Sequence, residues 1–253
     1  MNQIVKIPRA KNEPVKSYAP GDSETLNLKS KLQEMKNTPI DIPMYIGSKE
    51  IFTEEKISMH PPHEINHTLG TFNKGNASHV EAAISAALEA KESWAKMPWE
   101  SRAAIFLRAA DLLAGPYRDR MNAATMLAQS KNAMQAEIDA ACEMIDFFKF
   151  NVQYMSEIYA QQPPENSPGV WNQLEYRPLE GFVFALSPFN FTSIAANLCS
   201  APAMMGNTVV WKPAETQIYS AQVIMELYKE AGLPDGVINL VYVDGPTTGD
   251  VIF

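Results

Sequence analysis

Asn190 stands in LSPFNFTSI (186–194), two residues beyond Pro188, where an apolar run breaks off. Its amide is a donor that can be aimed at negative charge developing on a substrate oxygen, a role worth ~10²–10³ in turnover. The same side chain equally suits an Asx turn or a helix cap, and the residues alone leave both uses open. Thr192 and Ser193 can each cap the helix that follows, which would free the amide. In WKPAE, Lys212 and Glu215 flank a Pro-Ala turn, so an ammonium donor and a carboxylate acceptor for ribose hydroxyls can share one crevice. A carboxylate there also repels a 2′-phosphate and so favours NAD over NADP, while a solvated surface pair fits the same spacing. Gly245 and Gly249, in GPTTG, open a helix-like stretch after an apolar run, where bare backbone and the positive helix end can admit a pyrophosphate. Tight turn packing explains a lone G-x-x-x-G as well, and it is not the G-x-G-x-x-G fingerprint.

His63-Glu64-Ile65-Asn66-His67 spells H-E-x-x-H, which on a helix would present two imidazoles to a zinc ion with the Glu as base. Pro61 and Pro62 precede it, Thr68 and Gly70 follow, and no third ligand stands nearby. No metal site is expected. The two cysteines, Cys142 and Cys199, each fall inside a helix-like pattern and read as small buried apolar residues in a reducing compartment.

The elements that must position these residues follow from the apolar periodicity. Asp22-Ser23 opens a helix through Met35, and the Gly- and Pro-interrupted stretch 40–75 reads as short strands and turns. Ser78 with Glu81 is an S-x-x-E capping box for a helix through about Lys96, and two more helices follow at about 101–113 and 121–128. From Met134 through Ile138, Ala141, Ile145, Phe148, Val152 and Met155 to Tyr159 the spacing predicts one long helix with its stripe in the core. QQPPENSPG (161–169) is a linker, and VWNQLEYRPLE an extended ribbon. Then strands and helices alternate. GFVFALS, NTVVWK and GVINLVYV are the strands, 193–205 and 217–231 the helices between them, and DGPTTGDVIF begins another. Buried strands separated by helices imply parallel βαβ units. The fold class expected is α/β: residues 1–162 are N-terminal helices packed on an incomplete Rossmann-like parallel sheet, 163–180 the linker and ribbon, and 181–253 the first βαβαβ part of the sheet. Ligands of such sheets bind beyond the carboxyl ends of the strands, which is where Ser187, Asn190, Lys212, Glu215, Gly245 and Gly249 all fall.

A chain of 253 residues with 46% hydrophobic and 20% charged residues can bury a large core. Its net charge of -8 and lack of a Lys/Arg block argue against nucleic acid. No run approaches the ~18 apolar residues a membrane helix needs, nor does the start carry a secretory h-region. A cytoplasmic protein is expected.

Read together, LSPFNFT, TVVWKPAE, AGLPDGVINLV and DGPTTGD resemble successive motifs of the NAD-dependent aldehyde dehydrogenase superfamily, and NEPV (13–16), RAAIFLRAADLLAGP (102–116), QAEIDAACEMIDFFKFN (135–151) and LEGFVFALSPFNFT (179–192) extend the likeness over nearly the whole chain. Phe189 and Thr192, where Trp and Pro are frequent, agree with the branch acting on L-glutamate γ-semialdehyde, formed from 1-pyrroline-5-carboxylate in proline catabolism. The resemblance implies that Asn190 stabilises the oxyanion of a Cys thiohemiacetal and that Ser187 contacts the cofactor. It also implies that Lys212 and Glu215 hold the adenosine ribose of NAD, that Gly245 and Gly249 flank its pyrophosphate, and that the ribbon serves homo-oligomerisation. The family's nucleophilic Cys and general-base Glu would stand beyond residue 253, so the chain alone is expected not to turn over. The other classes open to the residues are a non-catalytic NAD-binding or interaction module and a zinc hydrolase.

Overall fold

The computed structural model describes residues 5–253. Helix α1 (Ser23–Asn37) leads into five short strands, β1 (Ile40–Ile42), β2 (Met44–Ile46), β3 (Lys49–Ile51), β4 (Lys56–Met59) and β5 (Gly70–Asn73). They serve two sheets. β1, β5 and β4 make a small three-stranded one, in which Gly70 pairs with Ile40. The Gly70 backbone has φ +134°, and a Cβ there would lie 1.9 Å from the Ile40 carbonyl oxygen. β2 and β3 form a hairpin turning at Gly47 and Ser48, Gly47 supplying the positive φ that so tight a turn needs.

Four helical stretches follow: α2 (Ala77–Lys96), α3 (Trp99–Ala114), α4 (Arg118–Gln129), and a long one that is not uniform. The α2 cap differs from the sequence reading. Asn76, not Ser78, is the N-cap, and His79 rather than Glu81 closes the box. The long helix is α5 (Ala133–Ala136), a π-helical segment (Glu137–Glu143) and α6 (Met144–Tyr159). Widening to i→i+5 bonds breaks the 3.6-residue stripe: Ala141, Ile145, Phe148, Val152 and Met155 are buried, whereas Met134 and Ile138 are 45% and 43% exposed.

Residues 160–181 carry no regular element, and Val170, Trp171, Leu174 and Leu179 of the ribbon face solvent. Then come β6 (Val183–Ser187), α7 (Thr192–Met204), β7 (Val209–Pro213), a 3₁₀ turn (Glu215–Gln217), α8 (Ile218–Ala231), β8 (Ile238–Leu240) and α9 (Gly245–Ile252). β6, β7 and β8 are parallel, as the alternation of strands and helices requires. The sheet is nonetheless mixed. β2 joins β8 antiparallel, giving the order β3-β2-β8-β7-β6. Asn239 fixes that junction, its Oδ1 accepting from Gly47 N at 2.8 Å.

β2 and β7 are buried on both faces, so the sheet is covered twice. Tyr45 faces α8, with Lys229 Nζ 4.7 Å from its ring centroid, while α2 packs on β2, β7, β8 and α9. Outside α7 and α8 lie α3, α4 and α6, and between these layers Phe106, Phe148 and Tyr228 pack edge to face or tilted at 6.0–6.3 Å. No helix among the described residues is long and apolar enough to cross a membrane.

Candidate functional site

The parallel register aligns the strand ends. Leu186 pairs with Lys212 and Ser187 with Pro213, so the turn carrying Asn190 and the turn carrying Glu215 leave the same rim side by side, next to the end of β8 and the start of α9. Neighbouring residues in register point to one face of a sheet, and successive residues to opposite faces. Lys212 therefore shares the face of Leu186 and Phe184, where Phe253 after α9 meets Phe184 with ring centroids 6.3 Å apart. Burial pulls the Lys212 ammonium below its usual range, opposed by the nearby carboxylates of Glu215 and Asp244. Lys74, raised chiefly by its bond to Glu55, also feels Asp244 and Glu215, so two cations and three carboxylates crowd this end of the sheet.

At α9, Asp244 is the N-cap, its Oδ1 accepting from Thr247 N at 3.0 Å. A Cβ added at Gly245 or Gly249 would meet nothing within 4 Å. Both α-carbons thus border open space, which admits a ligand to the backbone. The Asp244 carboxylate repels a phosphate, and Lys212 offsets it, Lys74 being already paired with Glu55. The set fits a dinucleotide: a cation and an exposed carboxylate for hydroxyls, and bare backbone at a helix start.

Ser187 is different. Its hydroxyl lies on the α8 face, buried, donating to Gln217 Oε1 at 2.7 Å and accepting from Trp211 Nε1 at 2.9 Å. Any contact it makes with a cofactor comes through its backbone. Gln217 Nε2 in turn donates to Phe191 O at 2.7 Å, tying the two ends of the 188–190 turn together. Asn190 is exposed and its side chain forms no hydrogen bond among the described residues. Thr192 and Ser193 do not cap α7 with their own side chains; Thr192 Oγ1 instead meets Thr125 Oγ1 and Gln129 Nε2. Asp139 supplies the acceptors.

Beside the turn opens a cleft of about 700 Å³. Phe191 and Ile194 form one wall, and Glu143, Asp146, Phe147 and Phe150 another. Glu143 and Asp139 lie some fifty residues before the turn they serve. In sequence they are two of four acids within 137–146, with Glu137 and Asp146, in a helical stretch otherwise rich in apolar residues, and nothing local singles them out.

His63, Glu64 and His67 sit in turns rather than a helix. Glu64 pairs with Lys36, His67 Nε2 meets Lys36 O at 2.7 Å, and His63 Nδ1 meets Ser130 Oγ at 2.8 Å. Among the described residues no group of three or more His, Cys, Asp or Glu can hold a metal. Cys142 and Cys199 are free and buried; burial pushes the Cys142 thiol up to about 12 and Cys199 well above its usual range, so neither is an activated nucleophile.

The model of the aldehyde dehydrogenase family matches residues 51–253. The chain belongs to the aldehyde dehydrogenase family. A delta-1-pyrroline-5-carboxylate dehydrogenase of Agaricus bisporus is 52% identical over 237 residues, 93% of this chain and 43% of the relative. The mitochondrial enzyme of that name from Homo sapiens is 43% identical over 241 residues, 95% and 43% respectively. The solved Mycobacterium tuberculosis delta-pyrroline-5-carboxylate dehydrogenase bound with NAD superposes with a TM-score of 0.96 at 50% identity, covering 99% of this chain and 47% of the other. This aldehyde dehydrogenase chain thus spans about half the length of the relatives it matches.

Proposed function

We propose that this chain carries the cofactor-binding rim and the oxyanion donor of an NAD-dependent dehydrogenase that oxidises L-glutamate γ-semialdehyde to L-glutamate, via a Cys thiohemiacetal whose thiolate this chain does not supply. The observation that carries the reading is the register of β6 with β7, which brings an unbonded Asn190 amide, Lys212, Glu215 and the start of α9 to one rim. The names of the relatives support the substrate, and the NAD-bound neighbour the cofactor. When bound, NAD supplies the hydride acceptor. Lys212 and Glu215 would hold its adenosine ribose, and Gly245 and Gly249 leave room for its pyrophosphate. Asn190 donates to the carbonyl oxygen as negative charge gathers there, which lowers the barrier without the amide being consumed. The aromatic and acidic cleft suits an amino-acid aldehyde, its carboxylates facing the ammonium.

The exposed apolar ribbon, with Trp171 84% exposed, supports a homo-oligomer. The two free buried thiols fit a reducing compartment, cytoplasmic in our reading, and cell fractionation tests it. For the function itself, the complete polypeptide carrying this chain should form NADH with the semialdehyde, and Asn190→Ala should lower kcat by ~10²–10³ with NAD affinity unchanged. NAD binding without turnover in the intact protein would favour the binding-module reading.

A further inference from the structure

Helix α7 begins directly after the 188–190 turn, yet none of its own side chains caps it. The cap is delivered from the π-helical segment. Asp139 Oδ2 accepts from Thr192 N at 3.0 Å, and its Oδ1 accepts from Ser193 N at 3.0 Å and Ser193 Oγ at 2.8 Å. One buried carboxylate therefore takes both leading N–H groups of α7, where a negative charge also meets the positive helix end. Lys131 Nζ neutralises it at 2.6 Å and lies 4.4 Å from the Phe191 ring centroid, so the same ion pair also braces the residue following Asn190. On the opposite flank Gln217 bonds both Ser187 Oγ and Phe191 O. Only residues 188–190 lie between these anchors, and the amide at their end has no bond of its own.

We propose that Asp139 is the positioning residue for Asn190, fixing from another helix the point at which α7 starts and hence where the amide stands relative to the reacting carbonyl. Charge-assisted bonds to two consecutive N–H groups are short and directional, which suits a group that must hold a donor in place. Ser193 Oγ also lies 3.0 Å from Glu143 Oε2, so its single proton is shared between Asp139 and the wall of the substrate cleft. The inference rests on the reading of Asn190 as oxyanion donor, and the test separates the two.

In the complete enzyme carrying this chain, kcat and both KM values are measured for Asn190→Ala, Asp139→Asn, Asp139→Ala and the two double variants. Asp139→Asn keeps the shape and one acceptor oxygen, so a drop in kcat of ~3–10-fold is expected, and ~10–10²-fold for Asp139→Ala, with KM for NAD unchanged. In the Asn190→Ala background both losses should shrink below about twofold, because the amide to be positioned is gone. A carboxylate that only stabilises the fold would lower the active fraction counted by NAD binding, or lower kcat by equal factors in both backgrounds. Either result overturns the proposal, as does wild-type kcat in Asp139→Asn, while a large Asn190→Ala effect leaves the functional reading standing. If Asn190→Ala alone leaves kcat unchanged, the oxyanion reading fails first and Asp139 loses this role with it. Should Asp139→Ala not fold, the isosteric Asn variant decides.

Discussion

Asn190 and Gln217 carry the same functional group, and burial decides their different uses. Gln217 is fully buried, with its oxygen and nitrogen both satisfied by Ser187 and Phe191, so it serves the turn's shape. Asn190 stands exposed at the end of the turn with its donors free, as the oxyanion donor proposed above has to be. The placement of Lys212 and Glu215 after one strand was legible, but their spacing about a Pro-Ala turn fits a solvated surface pair as well, and the direction of the Ser187 hydroxyl was not legible, because only the strand register shows which face it takes. Glu143 was silent for another reason: one acid on a long helix has no signature until a loop from elsewhere closes over it. If its carboxylate receives the substrate ammonium, Glu143→Gln should raise KM for the semialdehyde about tenfold and leave kcat within about twofold, since a charged hydrogen bond of ~1.5 kcal/mol formed equally in ground and transition states is lost. Steady-state kinetics on the intact enzyme would check it.

The π-helical segment shows how an element can hide in its own sequence. An apolar stripe continued by threes and fours predicts one straight helix, yet Glu137 and Asp139 are both buried, and each meets a cation: Glu137 meets Arg118, and Asp139 meets Lys131. Those partners come from earlier parts of the chain, so the periodicity could not announce them. Glu137 also accepts from Lys16 N at 2.9 Å and Tyr18 Oη at 2.8 Å, which fastens residues 16–18, ahead of α1, to the segment. Burial alone would raise its pKa, but Arg118, Lys16 N, Tyr18 and Asn122 overrule it and hold the carboxyl at about 2. A carboxyl depressed in the folded state contributes stability fully above its unfolded value of about 4.5 and loses it as pH falls toward 2. Glu137→Gln should therefore destabilise the fold by about 3 kcal/mol near neutral pH, with the difference from wild type narrowing between pH 4.5 and 2. Urea unfolding followed across that window would measure both.

At the scale of the molecule, the three parallel strands and their crossovers were legible because short buried runs between helix patterns admit few arrangements. The antiparallel join of β2 to β8 was not, since it links segments nearly two hundred residues apart through one pair, Tyr45 with Leu240, and the buried Asn239 amide. The outer edge of β6 remains unpaired among the described residues, with Leu186 59% exposed. The ribbon also exposes apolar surface, and if it carries the homo-oligomer proposed above, replacing Trp171 and Leu174 together by Asp should give a smaller species in sedimentation, with NAD affinity retained. Gly70 has no room for a side chain. Its α-hydrogen is all that fits against the Ile40 carbonyl, so every missense allele at this codon should behave as a loss of abundance: in cells the polypeptide would be cleared before any catalytic defect could be scored, visible as a faint band on an immunoblot beside unaltered transcript.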